Sequence, residues 1–212
     1  IMSLAVAFWY VVFGYHETRR QLGWLRPMLL IGSGLMLIIL DATLAALIGG
    51  IVLARQDEII DTVIKETGKA RTDAMSMEVF SVADQLCYYA KNAEKFLAPR
   101  KRNVHGLMGL MKRLHMVYKP LGVVGLITPW NGPFVLVMNQ ACQAMLAGNT
   151  VVAKGSEVTP FSAKLAEDIF REAGLPEGVL QVLLGDGDTG AAIVRGGVDK
   201  VSFTGSVATG RK

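Results

Sequence analysis

Cysteine is almost missing from this chain of 212 residues, with Cys87 and Cys142 the only two. Two thiols cannot form a disulfide framework or a cysteine-rich metal centre, and they fit a reducing compartment. The three histidines, His16, His105 and His115, show neither metal-ligand nor triad spacing. Acids are absent from Lys95 to Lys119, where Lys95, Arg100, Lys101, Arg102, Lys112, Arg113 and Lys119 accumulate most of the net charge of +4. Such a stretch is read either as a solvated hairpin or as a contact for anionic lipid, nucleic acid or a partner subunit. It lacks the interleaved aromatics of a nucleic-acid stacking surface, so nucleic acid is not expected as a partner. With 51% apolar and 19% charged residues, the chain has enough for a core and too much for disorder.

Charge is also scarce near the N-terminus. Between Arg26 and Arg55 the only ionisable residue is Asp41, and an apolar run of that length reaches across a hydrocarbon core of roughly 30 Å. Three arguments weigh against a span. Leu44, Leu47, Ile48, Ile51 and Val52 keep helical spacing into Ile59, Ile60, Val63 and Ile64, opposite a face with Arg55, Asp57, Glu58 and Asp61. Only Met28–Thr43 is then left for lipid, shorter than the usual ~20 residues. Asp41 in lipid costs roughly 2.5–3.5 kcal/mol on insertion scales, and Arg19, Arg20 and Arg26 would put the downstream domain on the wrong side for a cytosolic cofactor. The segment "GSGLMLIILDAT" resembles the first helix of major-facilitator drug–proton antiporters. Two readings stay open: a membrane association through residues 28–54, or a foreign apolar helical leader over residues 1–43 joined to a soluble domain over 44–212. The chain opens on Ile1 and stops where a helix should begin after Ser206, so a fragment is expected.

From Leu121 on, short β-branched runs (Leu121–Ile127, Thr150–Ala153, Val179–Leu184, Val198–Phe203) alternate with segments rich in Ala, Leu and Glu. This pattern predicts an α/β fold, a parallel Rossmann-like sheet with helices on both faces, preceded by an apolar helical N-terminus. Upstream, helices are expected over Leu44–Lys65 and Ala74–Phe96, then a hairpin over 97–120. Ligands of such sheets sit at the carboxyl ends of the strands. There the chain carries Thr128-Pro129-Trp130-Asn131, Lys154-Gly155-Ser156-Glu157, Gly185-Asp186-Gly187 and Thr204-Gly205-Ser206.

The pieces "LARQDEIIDTVIKETGKA", "PLGVVGLITPWNGPF", "AGNTVVAKGSEVTP", "EAGLPEGVLQVLLGDG" and "VDKVSFTGSVATGRK" resemble, in order and spacing, the aldehyde dehydrogenase superfamily, nearest its succinate-semialdehyde type. The resemblance implies NAD(P)-dependent oxidation of an aldehyde: a cysteine thiolate adds to the carbonyl, hydride leaves to the nicotinamide, and water activated by a carboxylate hydrolyses the thioester. It places the oxyanion-donating asparagine on Asn131, whose amide donates without being ionised. It places adenosine-ribose contacts on Lys154 and Glu157, with Gly155 and Ser156 in the same loop, and diphosphate contacts on Gly205 and Ser206, with Gly187 as a helper. Ile127, Thr128, Pro129 and Trp130 fall on the nicotinamide side. Glu157 should repel a 2′-phosphate, which favours NAD over NADP, while Gly155 replaces a proline common in the family and loosens that expectation.

Each residue has a plainer reading. Asn131 could cap the helix from Pro133, Glu157 could be a surface acid near a helix start, and Trp130 could be core. Cys142 and Cys87 read as structural thiols. The family's catalytic cysteine and general base match no motif here. The implied activity therefore stands beside a second reading, a non-catalytic nucleotide-binding or membrane-associated remnant. The resemblance further implies a homo-oligomer, a small aldehyde as substrate and a cytoplasmic location.

Overall fold

The computed structural model describes residues 42–211. The expected leader over residues 1–43 lies outside them save for its last two residues, which are helical. The first helix, α1 (Ala42–Ala54), turns Ala45, Ile48 and Val52 fully inward. It packs against the long helix α4 (Ser81–Leu97). Within residues 42–54, half of the stretch considered for a membrane, the Ala45–Ile48–Val52 face is therefore buried against protein while Leu47 stays exposed, and this half belongs to the folded domain. No helix among the described residues is long and apolar enough to cross a membrane.

A single helix over Leu44–Lys65 is expected, but two are found. Arg55 departs to φ −100°, ψ 18°, and α2 starts anew at Gln56–Thr67. The Arg55 guanidinium donates to both Glu58 oxygens (2.7 and 2.9 Å) and to Glu172 Oε2 (2.9 Å), a contact that a straight helix need not provide. α2 buries Ile59, Ile60 and Val63 and ends on Gly68, whose φ of 71° lets its N–H reach Ile64 O at 2.8 Å. The next helix begins with a single turn, α3 (Arg71–Asp73), widens to a π-helix over Ala74–Phe80 and continues as α4. The widened stretch, which the apolar spacing does not announce, buries Ala74, Glu78 and Val79.

The hairpin is shorter than expected. Strands β1 (Arg100–Arg102) and β2 (Leu114–Met116) pair antiparallel, and the turn between them holds a short helix, α5 (Met108–Met111).

Four parallel strands come next: β3 (Val123–Ile127), β4 (Thr150–Lys154), β5 (Leu180–Leu183) and β6 (Lys200–Phe203), ordered β5-β4-β3-β6. Helices α6 (Pro133–Leu146), α7 (Pro160–Glu172) and α8 (Gly187–Arg195) connect them, and α9 (Val207–Gly210) comes after β6. Side chains alternate across a strand, so neighbours reveal the faces. A Cβ on Gly125 would stand 2.7 Å from Ile193 Cγ2 of α8, whereas a Cβ on Gly155, just past β4, would stand 2.7 Å from Ala163 of α7. Ile127 and Lys154 also lie against Gly190 of α8. Helices therefore cover both faces, as the near-continuous apolar run of β3 requires. Helices α1, α2, the π-helix and α4 add a further layer over α6 and α7. The core between these layers includes Phe134, Val137, Met138, Ile169 and Phe170, each worth about 1.5–3 kcal/mol when buried.

Ile48→Ala should therefore destabilise the whole domain by about 2–5 kcal/mol, read as a lower urea midpoint for the sheet. An unchanged midpoint would mean that α1 is not part of this core.

Candidate active site

Register decides where the candidate residues go. Leu183 pairs with Lys154, Lys154 with Ile127, and Ile127 with Phe203, so the last residues of all four strands form one row. The four loops leave that row on the same side. Thr128 N–H donates to Lys154 O at 3.0 Å and Thr204 N–H to Ile127 O at 2.9 Å, carrying the pairing one step further. The chain steps from β3 through β4 to β5, then returns to place β6 on the other side of β3. A crevice outside the carboxyl ends at such a reversal is where open sheets bind ligands. Thr128–Gly132 and Thr204–Ser206 are the loops that leave the two strands at this reversal, β3 and β6.

Pro129 and Pro133 bracket the first loop, and their fixed φ stiffens it. Asn131 is exposed and does not cap α6. The N-cap is Gly132, no side chain of its own loop caps the helix, and Pro133 takes the first position. Trp130 is 58% exposed, which rules out the core reading. Ile127 and Pro129 are half-buried. Thr128 is buried, and its Oγ1 has no hydrogen-bond partner within the described structure.

At the next strand, Lys154 is buried while its ammonium donates to Glu157 Oε2 at 3.0 Å. The Glu157 carboxyl is held below its usual range, first by its own backbone N–H and then by the Lys154 ammonium. An ammonium donor beside an exposed carboxylate acceptor suits a vicinal diol. Ser156 Oγ accepts from Val158 N–H at 3.4 Å. Gly155 is explained by the fold, since any side chain there meets Ala163, and glycine lets α7 close on the strand end.

Gly187 opens α8 after Asp186, whose carboxylate accepts from Asp188 N–H at 3.0 Å. Gly205 and Gly210 both face the Phe203 ring, and a Cβ on Gly205 would come 2.5 Å from Phe203 Cζ. Ser206 Oγ caps α9 by accepting from Thr209 N–H at 3.2 Å. Gln140 of α6 ties this end to the first loop's helix: it accepts from Ser202 Oγ at 2.9 Å and donates to Thr204 Oγ1 at 3.3 Å.

Two carboxylates at this edge are not apparent from the sequence. Glu78, with no exposed surface, accepts from Phe134 N–H (3.2 Å) and Val135 N–H (2.8 Å) through Oε2 and pairs with the Lys69 ammonium through Oε1. Glu66 accepts from Phe161 N–H (2.7 Å) and Ser162 N–H (2.9 Å), and also from Ser162 Oγ. The one sequence signal for Glu78 is an acid lying on the buried stripe Ala74, Val79 and Val82.

Neither thiol is poised as a nucleophile. Burial pushes Cys142 up to about 12, and burial also raises Cys87. No cluster of metal-ligating side chains occurs among the described residues.

The chain belongs to the aldehyde dehydrogenase family, whose sequence model matches residues 42–212. A 4,4′-diapolycopene aldehyde oxidase of Methylomonas is 38% identical over 155 residues, covering 73% of this chain and 29% of the relative. A Mycolicibacterium smegmatis protein, provisionally named an NADP+-dependent succinate-semialdehyde dehydrogenase, is 40% identical over 162 residues, 76% of this chain and 31% of its own. The chain thus spans about three-tenths of these relatives' length. Among solved structures, the Mycobacterium tuberculosis aldehyde dehydrogenase complexed with NAD+ superposes with a TM-score of 0.72 at 34% identity, over 80% of this chain and 34% of that one. The NAD-dependent enzyme of Sinorhizobium meliloti gives 0.72 at 34% identity, over 80% and 33%.

Gly155→Ala should cost about 1–3 kcal/mol by overpacking, and adding Ala163→Gly should restore the urea midpoint; failure of that rescue would contradict the close approach. Cys142 should resist iodoacetamide at pH 8 in the folded chain and react once unfolded. A thiol whose pKa is raised by folding favours the native state below its unfolded value of about 9, and this contribution is lost as pH climbs towards 12. Cys142→Ala should flatten that alkaline loss relative to the parent chain.

Proposed function

We propose that this chain is the cofactor-binding part of an NAD(P)-dependent enzyme that oxidises an aldehyde to a carboxylic acid. The observation that carries the reading is the row Leu183–Lys154–Ile127–Phe203, from which all four candidate loops emerge on one side of a parallel sheet. Bound NAD(P)+ would accept the hydride. Lys154 and Glu157 would hold the adenosine ribose, one donating to its hydroxyls and the other accepting from them. Gly155 and Ser156 shape that loop, while Gly187, Gly205 and Ser206 would border the diphosphate. Ile127, Thr128, Pro129 and Trp130 would line the nicotinamide side, with Trp130 the most exposed of the four.

Asn131 would donate its amide to the oxygen that gains charge when a nucleophile adds to the aldehyde carbon. One such donor is commonly worth about 2.7–4 kcal/mol in the transition state. Its exposed position and freedom from capping duty support this role. The nucleophile would be a thiolate other than Cys142 or Cys87. We favour succinate semialdehyde as the substrate, in keeping with the name of the M. smegmatis relative, and a panel that includes a long apolar aldehyde would separate this from the chemistry named for the Methylomonas relative. In the whole protein, the exposed hairpin residues Leu107, Leu110 and Met111 would join subunits of a homo-oligomer. The cytoplasm, which holds the cofactor, would be its location.

Glu157 stays ionised through neutral pH, and its charge opposes a 2′-phosphate. Calorimetry should find NAD+ bound more tightly than NADP+, and Glu157→Gln should weaken NAD+ and narrow the difference severalfold. Absence of binding by both cofactors at millimolar concentration would remove the reading.

A further inference from the structure

Helix α6 starts in an unusual way. Its N-cap is Gly132, which has no side chain to offer, and a Cβ there would come 3.0 Å from Val135 Cγ1 and 3.3 Å from Leu136 Cγ. A side chain at this position would meet Val135 and Leu136 closely, and the glycine itself offers no cap. Pro133 has no N–H, so Phe134 and Val135 present the first free donors of the helix. Both reach the same oxygen, Glu78 Oε2, from 56 and 57 residues away in sequence. The carboxylate is completely buried, and two positive partners compensate its charge: the helix end and the Lys69 ammonium.

We propose that Glu78 is a positioning residue for the Thr128–Gly132 loop, and so for Asn131 and Trp130. The loop is only five residues long. One end is held at β3, where Thr128 N–H donates to Lys154 O at 3.0 Å. The other end is the start of α6, where Gly132 O accepts from Leu136 N–H at 3.0 Å and Glu78 takes the two exposed donors. With both ends anchored, and Pro129 within the loop and Pro133 at its edge fixing φ, little freedom remains for the backbone that carries Asn131. The role of Asn131 as oxyanion donor rests on the proposed function, whereas the hold of Glu78 on the loop does not.

Glu66 provides an internal comparison. It engages Phe161 and Ser162 at the start of α7 in the same manner, behind Pro160. Helix α7 ends the loop bearing Lys154–Glu157. Two acids of the outer helical layer thus each serve one ligand-side loop.

Amide hydrogen exchange on this chain tests the proposal. In Glu78→Ala, Phe134 and Val135 should exchange at least tenfold faster and, with Trp9 and Trp24 replaced by Phe so that Trp130 alone reports, acrylamide should quench more readily, while β4, β5 and α7 keep their protection. Glu66→Ala should give the complementary pattern, with Phe161 and Ser162 released. If Glu78→Ala does not fold, Glu78→Gln combined with Lys69→Met is used instead; it retains one acceptor oxygen, leaves no unpaired ammonium, and should keep Phe134 and Val135 protected. Protection lost evenly across the sheet in Glu78→Ala would reveal a merely structural acid and overturn the proposal, as would unchanged exchange at Phe134 and Val135 or their deprotection in the Glu78→Gln/Lys69→Met pair. Titration adds a readout that general destabilisation would not move selectively: Glu78→Ala should weaken NAD+ severalfold and leave AMP unchanged. If the parent chain binds neither ligand, the cofactor reading fails while the exchange result still decides the role of Glu78.

Discussion

The start of helix α6 is secured by a carboxylate from another layer. Free N–H groups at a helix terminus need partners, and here Glu78 meets them from the π-helix while Lys69 balances its charge. Taking Glu78 away would leave the two N–H donors and the Lys69 ammonium without their shared partner. The outer helices are therefore more than a hydrophobic cover over α6 and α7. Through Glu78, and through Glu66 at α7, they reach the ends of the two loops that leave β3 and β4. The widened turn at Ala74–Phe80 lets an acid share the inward face with Ala74 and Val79.

The sheet supplies the second constraint. A parallel ladder aligns the strand ends, so directly paired residues 27 to 76 positions apart in sequence arrive in one row. Close packing of α7 and α8 against the two faces explains the small residues: Gly125 admits Ile193 and Gly155 admits Ala163. At Gly155 the missing side chain is matched by the close approach of Ala163. Gln140 links α6 to the end of β6, so the two loops flanking the crevice share a helix as a common support.

Much of the architecture was legible locally. β-branched runs marked each of the four strands, although β3, β5 and β6 begin one or two residues later than those runs suggest. Apolar spacing located the stretch that forms α1 and α2, though as one helix, and the start of α7 at Pro160 was expected. The break at Arg55 was not legible because the apolar stripe continues across it; Glu172, distant in sequence, binds the guanidinium there. The hairpin's short helix was hidden within a run of basic and apolar residues that has no clear period. At the site, Asn131, Lys154 and Glu157 could be placed because motifs keep their order along the chain. Glu78 and Glu66 could not, since their partners are backbone donors 56 and 95 positions away, respectively.

The order of residues along the chain was enough to set the alternation of strands and helices, the loop residues offered at each strand end, and the family to which they point. Periodicity and local backbone preference are properties of neighbouring residues, and neighbours suffice to express them. Folding in three dimensions was needed for α1 to join the core, for Trp130 to face outward, and for buried acids of one layer to tether the helices of another. Those outcomes arise from desolvation and through-space hydrogen bonding, which depend on groups brought together only when the chain has folded.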